Sequence, residues 1–131
     1  LYSFAHTEAS DADIKQKINV RNDKIIIIDF YANWCGPCRS MDPVLKQIAQ
    51  EYSSTVKIYK INVDNNSFGN EHNVTSIPTY LFFKNGKLLK RAEGAIGKNG
   101  MKNQNFLKTQ WRNGNELAVT VRNWICHVVH D

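Results

Sequence analysis

Hydrophobic positions along this chain form two patterns, a continuous apolar run typical of a buried strand and a spaced stripe typical of a helix. Residues 24–31 form a nearly continuous apolar run, which predicts a strand buried on both faces in the middle of a sheet. Between Met41 and Tyr52 the apolar residues fall at offsets 0, 3, 4, 7, 8 and 11, which predicts a helix with one buried face. Pro43 lies inside this helix and should kink it, because proline has no N–H group to donate. A strand followed closely by a helix is therefore the best-marked part of the chain.

Weaker patterns predict further elements on either side of this pair. Ser10 and Asp13 have the spacing of a capping box, which predicts a helix that begins near them and buries Ile14 and Ile18. Residues 56–63 alternate in polarity as a second strand would, and the stretch that follows indicates a short helix near residues 65–72.

The C-terminal half carries a hairpin signal. Strands are predicted over residues 79–83 and 87–92, separated by Lys84-Asn85-Gly86, and Asn-Gly favours a tight turn because both residues tolerate positive φ. A last, Asn-rich helix is predicted over residues 98–111. Strands and helices that follow one another without a repeat or a linker predict one domain of the α/β class.

Composition and charge argue against some classes of partner. Hydrophobic residues make up 42% of the 131 residues, and no stretch approaches the roughly 18–20 apolar residues of a membrane span. The net charge of +5 is uneven, since residues 84–131 hold nine Lys and Arg against three Asp and Glu. This basic half either steers acidic protein partners or is an ordinary solvated surface. No finger spacing or aromatic-interleaved basic run is present, so we expect neither nucleic acid nor membrane as a partner.

The cysteine count bears on the cellular compartment. Three cysteines are an odd number, so a pair between Cys35 and Cys38 leaves Cys126 over. A secreted disulfide scaffold normally has more cysteines and an even number of them. Residues 1–10 also lack the basic start and apolar block of an intact signal peptide. We therefore expect a cytoplasmic location, with an organelle matrix, after removal of a targeting segment, as the alternative.

The segment Trp34-Cys35-Gly36-Pro37-Cys38 places two thiols three residues apart, where the strand gives way to the helix. A thiol attacks a disulfide as its thiolate, and the N–H groups and dipole of a helix N-terminus lower the pKa of a cysteine there. Pro37 suits a first helical turn, which needs no N–H group from it. We therefore expect Cys35 to be the exposed attacking thiol and Cys38 to be the more covered resolving thiol.

Asp29 interrupts the apolar strand six residues before Cys35. Burial would raise the pKa of its carboxyl group, which suits proton exchange with the resolving thiol near neutral pH. An aspartate that faces water from an edge strand is the alternative. The two cysteines could also be half of a zinc site, but the other candidate ligands, Cys126, His127 and His130, lie far along the chain. We expect neither a metal nor a cofactor.

Residues 29–38, with the sequence DFYANWCGPC, resemble the active-site signature of the thioredoxin family. The resemblance continues in the same order through Lys60-Ile61-Asn62-Val63-Asp64, Ser76-Ile77-Pro78-Thr79, Phe82-Phe83-Lys84-Asn85-Gly86 and Gly94-Ala95. It implies a thioredoxin fold, in which a central mixed β-sheet is flanked by helices on both faces. It also implies that the domain covers residues 1–110 and is followed by a C-terminal extension, residues 111–131.

The same resemblance implies a protein disulfide reductase, a thiol–disulfide oxidoreductase that works through a mixed disulfide. Cys35 and Cys38 would form the redox-active disulfide, with Asp29 as the proton acceptor and Lys60 close enough to tune it. Pro78 would be cis and lie against the dithiol, and the backbone beside Ile77 would pair with an extended substrate segment. The substrate-binding surface would consist of Trp34, Gly36, Pro37, Ile77, Pro78, Gly94 and Ala95. The partners implied are disulfide-containing proteins and a thioredoxin reductase.

Residues 111–131 are not explained by the motif. Leu117, Val121, Trp124 and Val128 have helical spacing, while other residues there partly alternate, so the period does not decide the structure. The segment packs on the domain, pairs with a second copy of an otherwise monomeric chain, or stays poorly ordered. A thioredoxin-fold binding module that acts through this segment is the alternative to an enzyme.

Overall fold

A mixed sheet of five strands lies at the centre of the computed structural model, which describes residues 6–19, 21, 24–65 and 67–102. In chain order the strands are β1 (His6–Glu8), β2 (Ile25–Tyr31), β3 (Val56–Asn62), β4 (Thr79–Lys84) and β5 (Lys87–Glu93). Across the sheet their order is β1-β3-β2-β4-β5. The three strands β1, β3 and β2 are parallel, and β4 and β5 are antiparallel to their neighbours. The apolar run therefore occupies the central strand, as predicted.

Helices cover both faces of this sheet. They are α1 (Asp11–Asn19), α2 (Gly36–Glu51), α3 (Phe68–Glu71) and α4 (Gly97–Lys102). Alternate residues of β2 belong to two separate apolar clusters, because successive side chains of a strand point to opposite faces. Ile25 and Ile27 pack with residues of α2 and α4, whereas Ile26 and Ile28 pack with residues of α1 and α3. The predicted α/β class and the two-sided arrangement are confirmed.

Local sequence signals account for the ends of several elements. Ser10 Oγ donates to Asp13 Oδ2 at 2.7 Å and accepts the Asp13 N–H at 3.3 Å, so the predicted capping contacts form at the start of α1. The turn between β4 and β5 is the Asn85-Gly86 pair, with φ of 49° and 81°. Positive φ at both positions matches the sequence signal for a tight hairpin.

Some elements differ from the sequence-based expectations. The three-residue strand β1 was not predicted, because it is too short to show a period. The short helix near residues 65–72 is confined to Phe68–Glu71. Pro43 lies inside α2, whose helical assignment is continuous from Gly36 to Glu51, and the kink there stays a prediction.

The predicted last helix begins at Gly97 and is described as far as Lys102. Residues 103–131 lie outside the described part, and with them lie the division at residue 110, the extension and Cys126. No helix in the described ranges is both long and apolar enough to cross a membrane.

Candidate active site

The two cysteines lie where β2 passes into α2. β2 ends at Tyr31, and a short turn, in which the Cys35 N–H donates to the Ala32 carbonyl at 3.1 Å, leads to the helix. Cys35 is the N-cap of α2 and has an extended conformation, with φ of −86° and ψ of 107°. Gly36 and Pro37 form the exposed start of the first helical turn, where proline needs no N–H partner.

Cys35 and Cys38 are joined by a disulfide bond, with their Cα atoms 5.3 Å apart. The backbone N–H of Cys38 points at the sulfur of Cys35 over 3.2 Å. Such an N–H group, at the positive end of a helix dipole, favours negative charge on the sulfur that it faces. After reduction, the same geometry stabilises a thiolate on Cys35, which is the requirement for an attacking cysteine.

The expected difference in exposure between the two cysteines is wrong for this oxidised form. Cys35 is 4% exposed and Cys38 is 5% exposed. The spacing in the sequence places both on one side of the helix start, but it does not show what covers them. Ala32 lies in the same buried cluster, and Tyr31, Val63 and Ile77 pack against it, so residues from three separate segments cover the pair.

A groove beside the disulfide has an apolar floor and an exposed aromatic rim. It measures about 330 Å³ and is lined by Trp34, Val63, Val74, Thr75, Ser76 and Ile77. Trp34 is 68% exposed, and its indole Nε1 donates to Asp64 Oδ2 at 2.9 Å, which fixes the ring at the edge of the groove. A large exposed aromatic that is held in place is typical of a docking surface.

The loop before β4 brings further predicted residues to this surface. The peptide bond between Ile77 and Pro78 is cis, and the carbonyl oxygen of Ile77 lies 3.9 Å from the Cys35 sulfur. Gly94 follows β5 with φ of 89° and donates its N–H to the Pro78 carbonyl at 2.8 Å. Ala95, the next residue, is exposed. The structure therefore places Ile77, Pro78, Gly94 and Ala95 around one end of the hairpin, with the Ile77 backbone next to the disulfide.

Asp29 is buried within the central strand and is 2% exposed. Its neighbours in the sheet are Lys60 on β3 and Tyr80 on β4, and paired residues of adjacent strands project to the same face. This is the face that α2 covers. Burial confirms that Asp29 does not face water from an edge strand, and the raised pKa of its carboxyl group stays a prediction.

A second, smaller cavity lies on the Cys38 side of the disulfide. It measures about 180 Å³ and is lined by Tyr31, Ala32, Asn33, Cys38, Arg39, Asp42 and Lys60. The Lys60 ammonium group is 3.4 Å from Asp42 Oδ1 and 4.1 Å from the centroid of the Tyr31 ring. Burial, together with the negative charges of Asp29 and Asp42, raises the pKa of Tyr80 far above that of an exposed tyrosine.

Three residues around the site were not found from the sequence. Asp42 follows Cys38 by four residues, a helical spacing that signals a shared face. Asp64 ends the segment Lys60-Ile61-Asn62-Val63-Asp64, and Tyr80 lies in a predicted strand, but neither position carries a sequence signal for a role at the site. No group of three or more His, Cys, Asp or Glu side chains could hold a metal within the described ranges. The other zinc candidates, Cys126, His127 and His130, lie outside those ranges.

A family model and two relatives that resemble this chain all carry the name thioredoxin. The family model described as Thioredoxin matches residues 5–107. The Thioredoxin of Porphyra purpurea is 42% identical over 93 residues, which cover 70% of this chain and 86% of that protein. Thioredoxin 1 of Synechococcus elongatus is 40% identical over 95 residues, which cover 72% of this chain and 88% of that protein.

A solved structure has a similar fold. This structure is described as "Structural basis of the thiol resolving mechanism in yeast mitochondrial 1-Cys peroxiredoxin via glutathione/thioredoxin systems". The TM-score is 0.67 at 30% sequence identity, with 74% of this chain and 90% of that chain covered.

Proposed function

Because this chain belongs to the thioredoxin family and is a thiol–disulfide oxidoreductase, we propose that it acts as a reductase of disulfides in other proteins. The observation that carries this proposal is the Cys35–Cys38 disulfide at the N-terminus of α2, with the Cys35 sulfur facing both a helical N–H group and the Ile77 backbone. The disulfide is the product of the proposed reaction.

The first step is attack by the Cys35 thiolate on one sulfur of a substrate disulfide. The substrate S–S bond breaks, a bond forms between Cys35 and that sulfur, and the other substrate sulfur leaves as a thiolate that takes a proton from solvent. The N–H group of Cys38, at 3.2 Å, stabilises the attacking charge before the bond forms.

The second step is resolution by Cys38. Its thiol gives a proton to a carboxylate, for which Asp29 is the candidate, and the resulting thiolate attacks the Cys35 sulfur. The mixed disulfide breaks, the second substrate sulfur leaves, and the two electrons of the dithiol now reside in the reduced substrate. A reductase of the class that recycles family members then returns Cys35 and Cys38 to thiols.

The substrate occupies the groove along Trp34 and Ile77 in this proposal. An extended segment next to the Ile77 backbone would bring its disulfide to within reach of the Cys35 sulfur, which is 3.9 Å from the Ile77 carbonyl. Main-chain pairing of this kind recognises shape and is tolerant of sequence, which suits an enzyme with many protein substrates. We also propose that the protein works in a compartment that keeps thiols reduced.

Reduction of insulin by dithiothreitol tests the activity. Wild-type protein should accelerate the reaction, Cys35→Ser should not, and Cys126→Ser serves as a control that removes a cysteine from outside the motif. Activity of Cys35→Ser equal to that of wild type would contradict the proposal. Cys38→Ser should instead accumulate mixed disulfides with substrate proteins, visible as bands that reductant removes.

The reduction potential decides the direction of the reaction. A reductase should have a potential at or below the roughly −220 to −260 mV of the cytosolic glutathione pool. A value near −120 mV would mean that the protein oxidises its partners, and the proposed direction would be wrong.

A further inference from the structure

Asp42 is a carboxylate on the wall of the smaller cavity, beside the resolving cysteine. It lies four residues after Cys38 on α2, so both side chains lie on one face of the helix. Both line the cavity of about 180 Å³, together with Lys60 of β3. None of these residues lines the larger groove, so this polar space is separate from the proposed substrate site.

Lys60 pairs with Asp42 and lies next to Asp29 in the sheet. It is the neighbour of Asp29 across the β2–β3 ladder, and its ammonium group is 3.4 Å from Asp42 Oδ1. The side chains of Lys60 and Asp42 are 18% and 34% exposed, so the pair is partly shielded from solvent. Solvent screens such a pair less than it screens a fully exposed one.

Other charged and titratable groups face the same space. Arg39 lines the cavity from α2, and its guanidinium group donates to the Asn33 carbonyl at 2.7 Å. Tyr80 of β4 is the strand neighbour of Asp29, and burial together with the negative charges of Asp29 and Asp42 raises the pKa of its hydroxyl group. Lys60 thus pairs with Asp42 and is the strand neighbour of Asp29, while Arg39 is tied to the loop before α2.

We propose that Asp42 is a positioning residue for the resolution step. Its carboxylate partly neutralises the positive charge of Lys60, and Asp29 and Cys38 therefore stay protonated to higher pH. This inference rests on the proposed role of Cys38 as the resolving thiol. Two effects of the Asp42 charge raise the pKa of Asp29 and of Cys38. It repels a negative charge on either group, and it weakens the attraction between that charge and Lys60. Both effects raise the pH at which Asp29 and Cys38 lose their protons.

One proton moves from Cys38 to solvent by way of Asp29 in this step. Cys38 loses its proton to the Asp29 carboxylate, and its thiolate then attacks the Cys35 sulfur. The protonated Asp29 later returns its proton to solvent, for which the cavity beside Cys38 is the open side of the site. Asp42 changes the proton affinity of the groups in this exchange and takes no part in the bonds that form and break.

The test is the pH dependence of single-turnover resolution in the full chain. Reduced protein is mixed with a disulfide-linked peptide, and release of the second peptide thiol is followed from pH 5 to 9. Asp42→Asn should lower the pH midpoint of this step by about one unit, the order expected for the change of one nearby charge. A carboxyl ¹³C NMR titration of Asp29 in the reduced protein should move in the same direction, and this readout does not depend on turnover.

Glu51→Gln is the matched control. Glu51 also lies on α2 and pairs with a lysine, Lys98, but it lies remote from the cysteines at the other end of the helix. Glu51→Gln makes the same change in net charge as Asp42→Asn and should leave the pH midpoint of resolution within about 0.2 units of wild type. Asp42→Glu keeps the negative charge and should have a midpoint close to that of wild type. In a Lys60→Met background, Asp42→Asn should produce a clearly smaller shift, because part of the effect passes through Lys60.

Two results would overturn the inference: an unchanged midpoint and NMR titration in Asp42→Asn, or an equal shift with and without Lys60. A failure of the proposed function looks different. If Cys38→Ser releases the second peptide thiol as fast as wild type, Cys38 is not the resolving thiol, whatever Asp42 does.

Discussion

Replacing Tyr80 with phenylalanine should make the protein more stable. Tyr80 is fully buried in the cluster between the sheet and α2, and its hydroxyl group has no hydrogen-bond partner among the described residues. A buried polar group without a partner costs about 1–3 kcal/mol, whereas the ring itself contributes the same apolar packing in both residues. The expected gain is therefore roughly 1–2 kcal/mol in the free energy of unfolding. In a chain of this length each kcal/mol raises the melting temperature by about 4 °C.

Urea denaturation of the oxidised protein at pH 7 measures this gain. Tyr59→Phe is the control, because Tyr59 is also buried in the sheet, at 9% exposed, while its hydroxyl group is not among the buried groups that lack a partner. A loss of 1 kcal/mol or more in Tyr80→Phe would refute the reasoning, since it would mean that the hydroxyl group forms a favourable bond in the folded protein.

The same residue makes a prediction about alkaline pH. Burial raises the pKa of Tyr80, so wild-type stability is unaffected by its ionisation below the ordinary tyrosine value of about 10 and falls as the pH rises above it. The unfolded chain ionises there while the folded protein stays neutral. The stability advantage of Tyr80→Phe over wild type should therefore widen above pH 10, and an advantage that narrows there would contradict the assignment.

Two further predictions concern other parts of the fold. Gly86→Ala should destabilise the protein by about 1–2 kcal/mol in urea denaturation, because φ is 81° there and a Cβ atom would lie 2.8 Å from Asn19 Oδ1. Gly94→Ala has a φ of 89° and no atom within 4 Å, so it should show the backbone cost alone; a larger loss at Gly94 would refute the role of the contact. Asp11 is slightly desolvated, which opposes the shift, but hydrogen bonds from Ser67 and from the backbone after it lower the pKa of Asp11. Its contribution is present above about pH 4 and is lost as the pH falls further, so Asp11→Asn should lose less than about 1 kcal/mol at pH 7 and nothing near pH 2. A loss that persists unchanged at pH 2 would show that charge is not its cause.

The central strand, the main helix and the position of the two cysteines could be predicted from the sequence. Each has a strong local signal: a continuous apolar run, a helical stripe of apolar residues, and a Pro that suits the start of a helix. The signature around Cys35 also led to Pro78 and Gly94, which are distant in the chain and adjacent in the structure.

Contacts between distant elements were not predictable in the same way. The pair formed by Lys60 and Asp42 depends on how β3 is aligned in the sheet and on how α2 crosses it, and neither follows from periodicity. The burial of Cys35 likewise depends on Val63 and Ile77, which the fold brings over it. The strand β1 is too short to carry a pattern, and its pairing with β3 is a property of the whole sheet.

The two cavities beside the disulfide share no lining residue. Occupation of the groove along Trp34 and Ile77 therefore does not by itself involve any residue that lines the smaller cavity beside Cys38. In the proposed mechanism, recognition of partners and the speed of their release depend on different residues, which mutations can change one at a time. By this proposal, substitutions at Val74 or Ser76 change which proteins bind, whereas substitutions at Asp42 or Lys60 change how fast they are released.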